Sequence, residues 1–126
     1  MDLKNLIDLV HESCRWVGDH QAEMVIDQRF GAEELIRVAE SLSSTFRGMV
    51  QAISLENYAG EIFPALRIGH LFPAAERISF MSCKNLKTIE SISGFRALER
   101  LHVALCPQLL HVYCAGQNSV KDLDVR

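Results

Sequence analysis

Apolar residues recur along the second half of the chain as pairs that flank a single intervening position. The pairs are Ile53/Leu55, Ile78/Phe80, Leu101/Val103 and Leu123/Val125, and their first members are separated by 25, 23 and 22 residues. An apolar–x–apolar pair predicts a short strand whose two apolar side chains lie on one face. A period of 20–50 residues, kept over three intervals, indicates a repeat architecture.

In the two central units, further apolar residues follow each pair in steps of three. They are Cys83, Leu86 and Ile89 in one unit, and Cys106, Leu109 and Val112 in the next. The steps of three predict a turn after each strand and a return segment that packs on the same core. Each unit should add one parallel strand to a sheet, because no unit can bury its apolar face alone.

The two central units resemble leucine-rich repeats of the variant that has cysteine where the common form has asparagine. The resemblance rests on Ala75-x-x-Ile78-x-Phe80-x-x-Cys83-x-x-Leu86-x-x-Ile89 and on the matching run from Leu98 to Val112, and it covers about residues 50–126. It implies an α/β fold, with a short solenoid that has parallel strands on a concave side. It also implies that partners bind on that concave face.

Residues 1–48 do not follow the repeat and predict two helices with a short strand between them. The first helix has Asp2 as its N-cap, ends at Gly18-Asp19-His20, and has an apolar face made of Leu3, Leu6, Ile7, Val10, Cys14 and Val17. The second begins near Glu33 and ends at Arg47-Gly48, and its face is Leu35, Ile36, Ala39, Leu42 and Phe46. A strand is expected at Met24-Val25-Ile26.

We interpret the chain as one domain over residues 1–126, with a helical cap over residues 1–48 and a repeat solenoid over residues 49–126. A solenoid needs such a cap, because its first repeat would otherwise expose an apolar end. The cap should pack on Ile53 and Leu55. The alternative is an independent helical hairpin.

Composition and charge narrow the function classes. The formal net charge is −3, and there is no basic excess or stripe of the kind that nucleic-acid binders show. Charged residues interrupt the apolar pattern of residues 1–10, unlike a signal peptide, and no apolar run reaches a membrane-span length of about 18 residues. We therefore expect no nucleic-acid or membrane partner, and four reduced cysteines in a cytoplasmic protein or one delivered into another cell's cytosol.

Candidate catalytic and metal-binding residues are few. His102, Cys106, His111 and Cys114 are zinc-ligand types, but the repeat pattern places His102 and Cys106 on opposite faces, so we expect no metal site. His11-Glu12 lacks the second histidine of a zinc-protease helix, and Cys14 falls on an apolar helix face. The sequence predicts no cofactor and no enzyme. A small enzyme that uses His102 with Cys106 or Asp124 is the alternative.

The outward positions of the predicted strands form a candidate binding surface. In register, Arg77, Arg100 and Asp122 make one row, and Ser79, His102 and Asp124 make the next. Glu56 and Met81 complete the predicted partner-binding set, and Ala52, Ser54, Ala104 and Arg126 also point outward. We predict a non-catalytic protein–protein recognition module, such as an inhibitor, immunity or effector-type protein. A charged ladder that binds nothing is the alternative.

A second expectation concerns the edge of the sheet. Leu123 and Val125 lie on the last predicted strand, and a parallel edge strand offers free N–H and C=O groups to another chain. A homodimer through residues 120–126 is therefore the alternative function, that of a structural homo-oligomer.

Overall fold

The computed structural model describes residues 2–18, 21–113 and 122–125 of the chain. The fold is mixed α/β. Its helices are α1 (Leu3–Ser13), α2 (Ala32–Ser41), α3 (Ser44–Met49) and α4 (Ala65–Ile68), with 3₁₀ turns at Gly69–Leu71 and Ile92–Gly94. Its strands are β1 (Arg15–Trp16), β2 (Ala22–Ile26), β3 (Val50–Glu56), β4 (Ile62–Phe63), β5 (Arg77–Met81), β6 (Thr88–Ile89), β7 (Arg100–Ala104), β8 (His111–Val112) and β9 (Asp122–Val125).

In the part of the chain that the structure describes, the larger of two sheets has six strands in the order β1-β2-β3-β5-β7-β9. All neighbours are parallel except β1, which runs antiparallel to β2. The predicted register is confirmed, since Ile53 aligns with Ile78, Ile78 with Leu101, and Leu101 with Leu123. Because side chains alternate along a strand, the apolar pairs of β3, β5 and β7 are buried on one face.

A second, three-stranded parallel sheet, which the sequence did not predict, contains β4, β6 and β8. These strands lie in the return segments, and each has two residues. They are joined by backbone hydrogen bonds such as Lys87 N to Glu61 O (2.8 Å) and Leu110 N to Lys87 O (2.8 Å). The core lies between the two sheets, where Phe63 of β4 meets Phe80 of β5 edge to face at 5.0 Å between ring centroids.

The turn that follows each strand of the central units buries the same position. Cys83 and Cys106 are buried there, and Tyr58 takes the equivalent place after β3. The Tyr58 hydroxyl donates to the Ile62 carbonyl (2.8 Å), and the Cys83 thiol donates to the Leu55 carbonyl (3.4 Å). Each side chain therefore ties its turn to the backbone beside it and has a hydrogen-bond partner for its own buried polar atom.

The first helix is shorter than predicted. Asp2 is its N-cap as expected, because its side chain accepts a hydrogen bond from Asn5 N (2.9 Å). The helix ends at Ser13, however, and Cys14 is extended and half-buried. The chain then forms β1, which leaves Val17 exposed instead of on an apolar helix face. Of the predicted stop at residues 18–20, Asp19 and His20 lie outside the described residues.

The predicted second helix is two helices, α2 and α3. Leu42 is extended, and Ser43 caps α3 by accepting a hydrogen bond from Phe46 N (3.1 Å). Leu42 and Phe46 are both buried, so the apolar spacing continues across a break in the helix. The serine cap decided the boundary, because a serine hydroxyl satisfies one of the free N–H groups of a new helix.

Residues 1–48 therefore supply more than helices. The strand predicted at Met24-Val25-Ile26 is confirmed as part of β2, and it lies directly beside β3 in the large sheet. Helix α1 contacts both α2 and β2, and Leu6 and Val10 belong to the same apolar cluster as the core of the later units. In the described part of the chain, no helix is both long and apolar enough to cross a membrane.

Candidate functional site

The outer face of the large sheet, defined here as the face that carries Arg77, Ser79, Arg100, His102 and Asp124, faces solvent. The register places its side chains in two rows. Arg77 aligns with Arg100 and Arg100 with Asp122, while Ser79 aligns with His102 and His102 with Asp124. Adjacent strands are about 4.8 Å apart, so neighbouring side chains in a row are within contact range. The predicted alignment of both rows is confirmed, and a place on one face is confirmed for Arg77, Ser79, Arg100, His102 and Asp124.

Two arginines lie side by side in the first row. Arg77 and Arg100 are both exposed, and neither forms an ion pair with any side chain that the structure describes. Asp122 is next in the register, but its side chain lies outside the described part of the structure. Like charges directly opposite each other on neighbouring strands repel, so this pair adds nothing to the stability of the sheet by itself.

The second row contains a histidine held by a carboxylate. His102 Nδ1 lies 3.1 Å from Asp124 Oδ2, and about a third of each side chain is exposed. Ser79, on the other side of His102, is half-buried. The Asp124 contact fixes the orientation of the imidazole ring, so Nε2 is the ring nitrogen left for an external group.

A cluster of three charged residues borders the same face on its β1 side. Arg15 reaches Glu23 of β2 (Nη1–Oε1 2.9 Å) and Glu56 of β3 (Nη2–Oε1 3.2 Å). These hydrogen bonds raise the pKa of the Arg15 guanidinium. The sequence predicted Glu56 as a partner-binding residue but missed Arg15 and Glu23. Arg15 had been assigned to the first helix, and its contacts depend on the pairing of β1 with β2.

A depression of about 270 Å³ lies between this cluster and the His102–Asp124 pair. Arg77, Ser79, Arg100 and His102 line it, together with the small residue Ala52. Three of the residues expected to point outward, Ala52, Ser54 and Ala104, are almost fully covered. Their side chains are short, so the longer side chains around them cover them. Beside Arg77, the short side chain of Ala52 leaves the open space of the depression.

The end of β5 carries a second accessible region. Met81 is 41% exposed, and Leu105, beyond β7, is 67% exposed. Leu105 has a φ of 58°, and the equivalent residues Asn57 and Ser82 share this left-handed conformation. Their N–H groups continue the ladder, as Asn57 N donates to Met81 O (3.0 Å) and Ser82 N donates to Ala104 O (3.0 Å). The repeated conformation is therefore a feature of the strand ends, which the sequence did not predict.

Two of the described cysteines, Cys83 and Cys106, lie in the core and not on the outer face. Cys83 and Cys106 are buried free thiols, and burial raises the pKa of Cys83 to about 11. Cys14 is half-buried rather than buried as expected, and burial raises its pKa as well. Cys106 donates to the Ala104 carbonyl (3.4 Å). It therefore points into the core, whereas His102 lies on the outer face.

Metal ligands do not converge in the described residues. Within residues 2–18, 21–113 and 122–125, no three histidine, cysteine or acidic side chains come together in a way that could hold an ion. Of the zinc-ligand types noted in the sequence, Cys114 lies outside these residues, and His111 stacks on Tyr113 at 5.9 Å between ring centroids.

Comparisons of the chain with protein-family models, curated proteins and solved structures find no match.

Proposed function

We propose that the chain is a short leucine-rich-repeat-like solenoid that acts as a non-catalytic protein–protein recognition module. The partner protein would contact the outer face through Glu56, Arg77, Ser79, Met81, Arg100, His102, Asp122 and Asp124. The solenoid interpretation is supported by the parallel register of β3, β5, β7 and β9 and by the matching second sheet. We also propose a reducing, cytoplasmic location, which the free thiols of Cys14, Cys83 and Cys106 support.

One observation carries this proposal: Arg77 and Arg100 are exposed side by side in a depression of the sheet. Arginine is enriched among the residues that dominate binding energy at interfaces. The two like charges repel each other, and neither arginine forms an ion pair with a described side chain. A negatively charged group on a partner would relieve this repulsion, and the complementary charges would contribute to the affinity and specificity of binding.

The test is affinity capture from the native lysate with a triple variant, Arg77→Ala/Arg100→Ala/His102→Ala. The matched control, Arg67→Ala/His70→Ala/Arg96→Ala, removes the same residue types from exposed positions outside the large sheet. We expect the outer-face variant to lose a partner that wild type and control retain, with all three proteins equally folded by circular dichroism. Retention of every captured protein by the outer-face variant would contradict the proposal.

A second candidate function is hydrolysis, because His102 is oriented by Asp124 in the manner of a general base. Its neighbour in the row, Ser79, has no hydrogen bond to His102 in the described structure. Hydrolysis of p-nitrophenyl acetate tests this function. The candidate requires a rate above buffer that is lost in both His102→Ala and Asp124→Asn, and an unchanged rate in those variants would exclude it.

A third candidate is the homo-oligomer through residues 120–126. Its support is that β9 is the outermost strand of the large sheet in the described residues. Sedimentation velocity tests it directly. A dimer that is lost on Val125→Pro would support edge pairing, because proline removes a backbone donor, whereas a monomer at high concentration would contradict it.

A further inference from the structure

We propose that Arg77 and Arg100 together bind one oxyanionic group, a carboxylate or a phosphate, that the partner protein presents to the outer face. This inference rests on the proposed function, since it names the chemistry that the recognition surface would select. It goes beyond that function by assigning a site, its two ligating residues and the class of group they take.

The two guanidinium groups are placed to act on the same ligand. Arg77 and Arg100 are aligned residues on adjacent parallel strands, so their side chains leave the sheet in the same direction about 4.8 Å apart. A guanidinium presents its N–H donors in a planar fork that matches the oxygens of a carboxylate or phosphate. Two such forks at this spacing can both reach an oxyanion between them, and the anion would relieve the repulsion between the two charges.

The carboxylates that border the depression are already engaged. Glu23 lines it but is paired with Arg15, as is Glu56, and Asp124 is paired with His102. These groups are therefore poor counter-ions for the two arginines. The positive charge lies at the centre of the face, while at its borders Arg15 is shared by Glu23 and Glu56, and His102 contacts Asp124.

The size and lining of the depression fit a small polar group. Its volume of about 270 Å³ arises beside Ala52, where a longer side chain would fill it. Ser79 and His102 add a hydroxyl and a ring nitrogen to the lining. The Ser79 hydroxyl can donate to an oxyanion. His102 can donate through Nε2–H only as an imidazolium, because in the neutral ring that directs Nδ1–H at Asp124, Nε2 is an acceptor. Six polar or charged side chains line the depression, which disfavours a bulky apolar group because it would leave them without hydrogen-bond partners.

The test is a titration of ¹⁵N-labelled protein with sodium phosphate and, separately, with sodium acetate at constant ionic strength. The Nε–Hε resonances of arginine report the site directly. We expect those of Arg77 and Arg100 to shift together and to saturate with a dissociation constant on the order of millimolar, about −4 kcal/mol. Tighter binding of phosphate would indicate a phosphorylated partner side chain, and tighter binding of acetate would indicate an acidic side chain or a chain terminus.

Two variants test whether anion binding depends on the geometry of the two guanidinium groups or only on positive charge. Arg77→Lys/Arg100→Lys keeps the net charge but removes both forks, and we expect binding to weaken at least tenfold. Arg96→Gln removes one exposed charge outside the sheet, and we expect less than a twofold change. Chemical shift changes that never saturate, or that affect Arg96 as much as Arg77, would overturn the site. This measurement uses wild-type protein, so it tests the site even if the lysine variant does not fold.

The outcomes also separate this inference from the proposed function. Capture of a partner that depends on the outer face, combined with no saturable shift at Arg77 and Arg100, would overturn the oxyanion site and leave the recognition module standing. A saturable shift without any partner lost from the triple variant would establish the site and contradict the protein-recognition function.

Discussion

Leu101→Ala tests the repeat register most directly, because Leu101 lies in the middle of the apolar ladder. It is 1% exposed and aligns with Ile78 on one side and Leu123 on the other. The substitution removes three carbon atoms, which corresponds to about 2.4 kcal/mol of lost burial at about 0.8 kcal/mol per carbon. Hydrogen-bonded strands on both sides limit collapse, so a cavity contribution is added and we expect a loss of about 3–4 kcal/mol.

The assay is urea unfolding followed by circular dichroism, with thermal unfolding as a second measure. A loss of 3–4 kcal/mol should lower the Tm by roughly 12–16 °C at about 4 °C per kcal/mol for a domain of this size. The matched control is Leu110→Ala, the same change at a residue that is 73% exposed, and we expect it to stay within about 0.5 kcal/mol of wild type. His102→Ala should cost less than about 1 kcal/mol, since its contact with Asp124 is partly exposed. Equal losses for Leu101→Ala and Leu110→Ala would refute the register.

Three further predictions concern the turns and the buried thiol. Gly69→Ala should cost about 1–3 kcal/mol in urea unfolding, because its Cβ would lie 2.9 Å from the backbone of the facing turn, whereas Gly48→Ala meets nothing within 4 Å and should not destabilise. Leu105→Asn, which copies Asn57, should stabilise by about 0.5–1 kcal/mol, because leucine is strained at a φ of 58°; a loss of stability would contradict this. Burial and a pKa of about 11 should leave Cys83 unlabelled by iodoacetamide at pH 8 until the protein unfolds, so rapid native labelling by mass spectrometry would contradict its placement.

The large sheet could be predicted because its signals are local and repeated. Each apolar pair indicates which two side chains share a face of the sheet, and the 25-, 23- and 22-residue intervals indicate which pairs align on neighbouring strands. The outward residues follow from the same alternation, which is how Arg77 came to be placed beside Arg100 and His102 beside Asp124. No knowledge of distant contacts was needed for these placements.

The second sheet and the helix boundaries were not predicted from the sequence, for different reasons. The strands β4, β6 and β8 have two residues each, which is too short for any alternation to be visible. They exist because return segments of successive units lie side by side and exchange backbone hydrogen bonds. The break between α2 and α3 did have a local signal, the serine at position 43, but the apolar spacing of Leu42 and Phe46 favoured a continuous helix.

The pairing of charges on the outer face could not be predicted from the local sequence. Alternation along β3 and β5 places Glu56 and Arg77 on the same face, but Glu56 aligns with Met81, so the sequence alone does not say which cation Glu56 contacts. Glu56 is engaged by Arg15, from a strand that pairs with the sheet only after the chain leaves α1. Because Arg15 holds both Glu23 and Glu56, the two central arginines keep their charge available. The direction of each side chain is thus a local property, whereas which charges of the outer face are paired depends on a tertiary contact from β1.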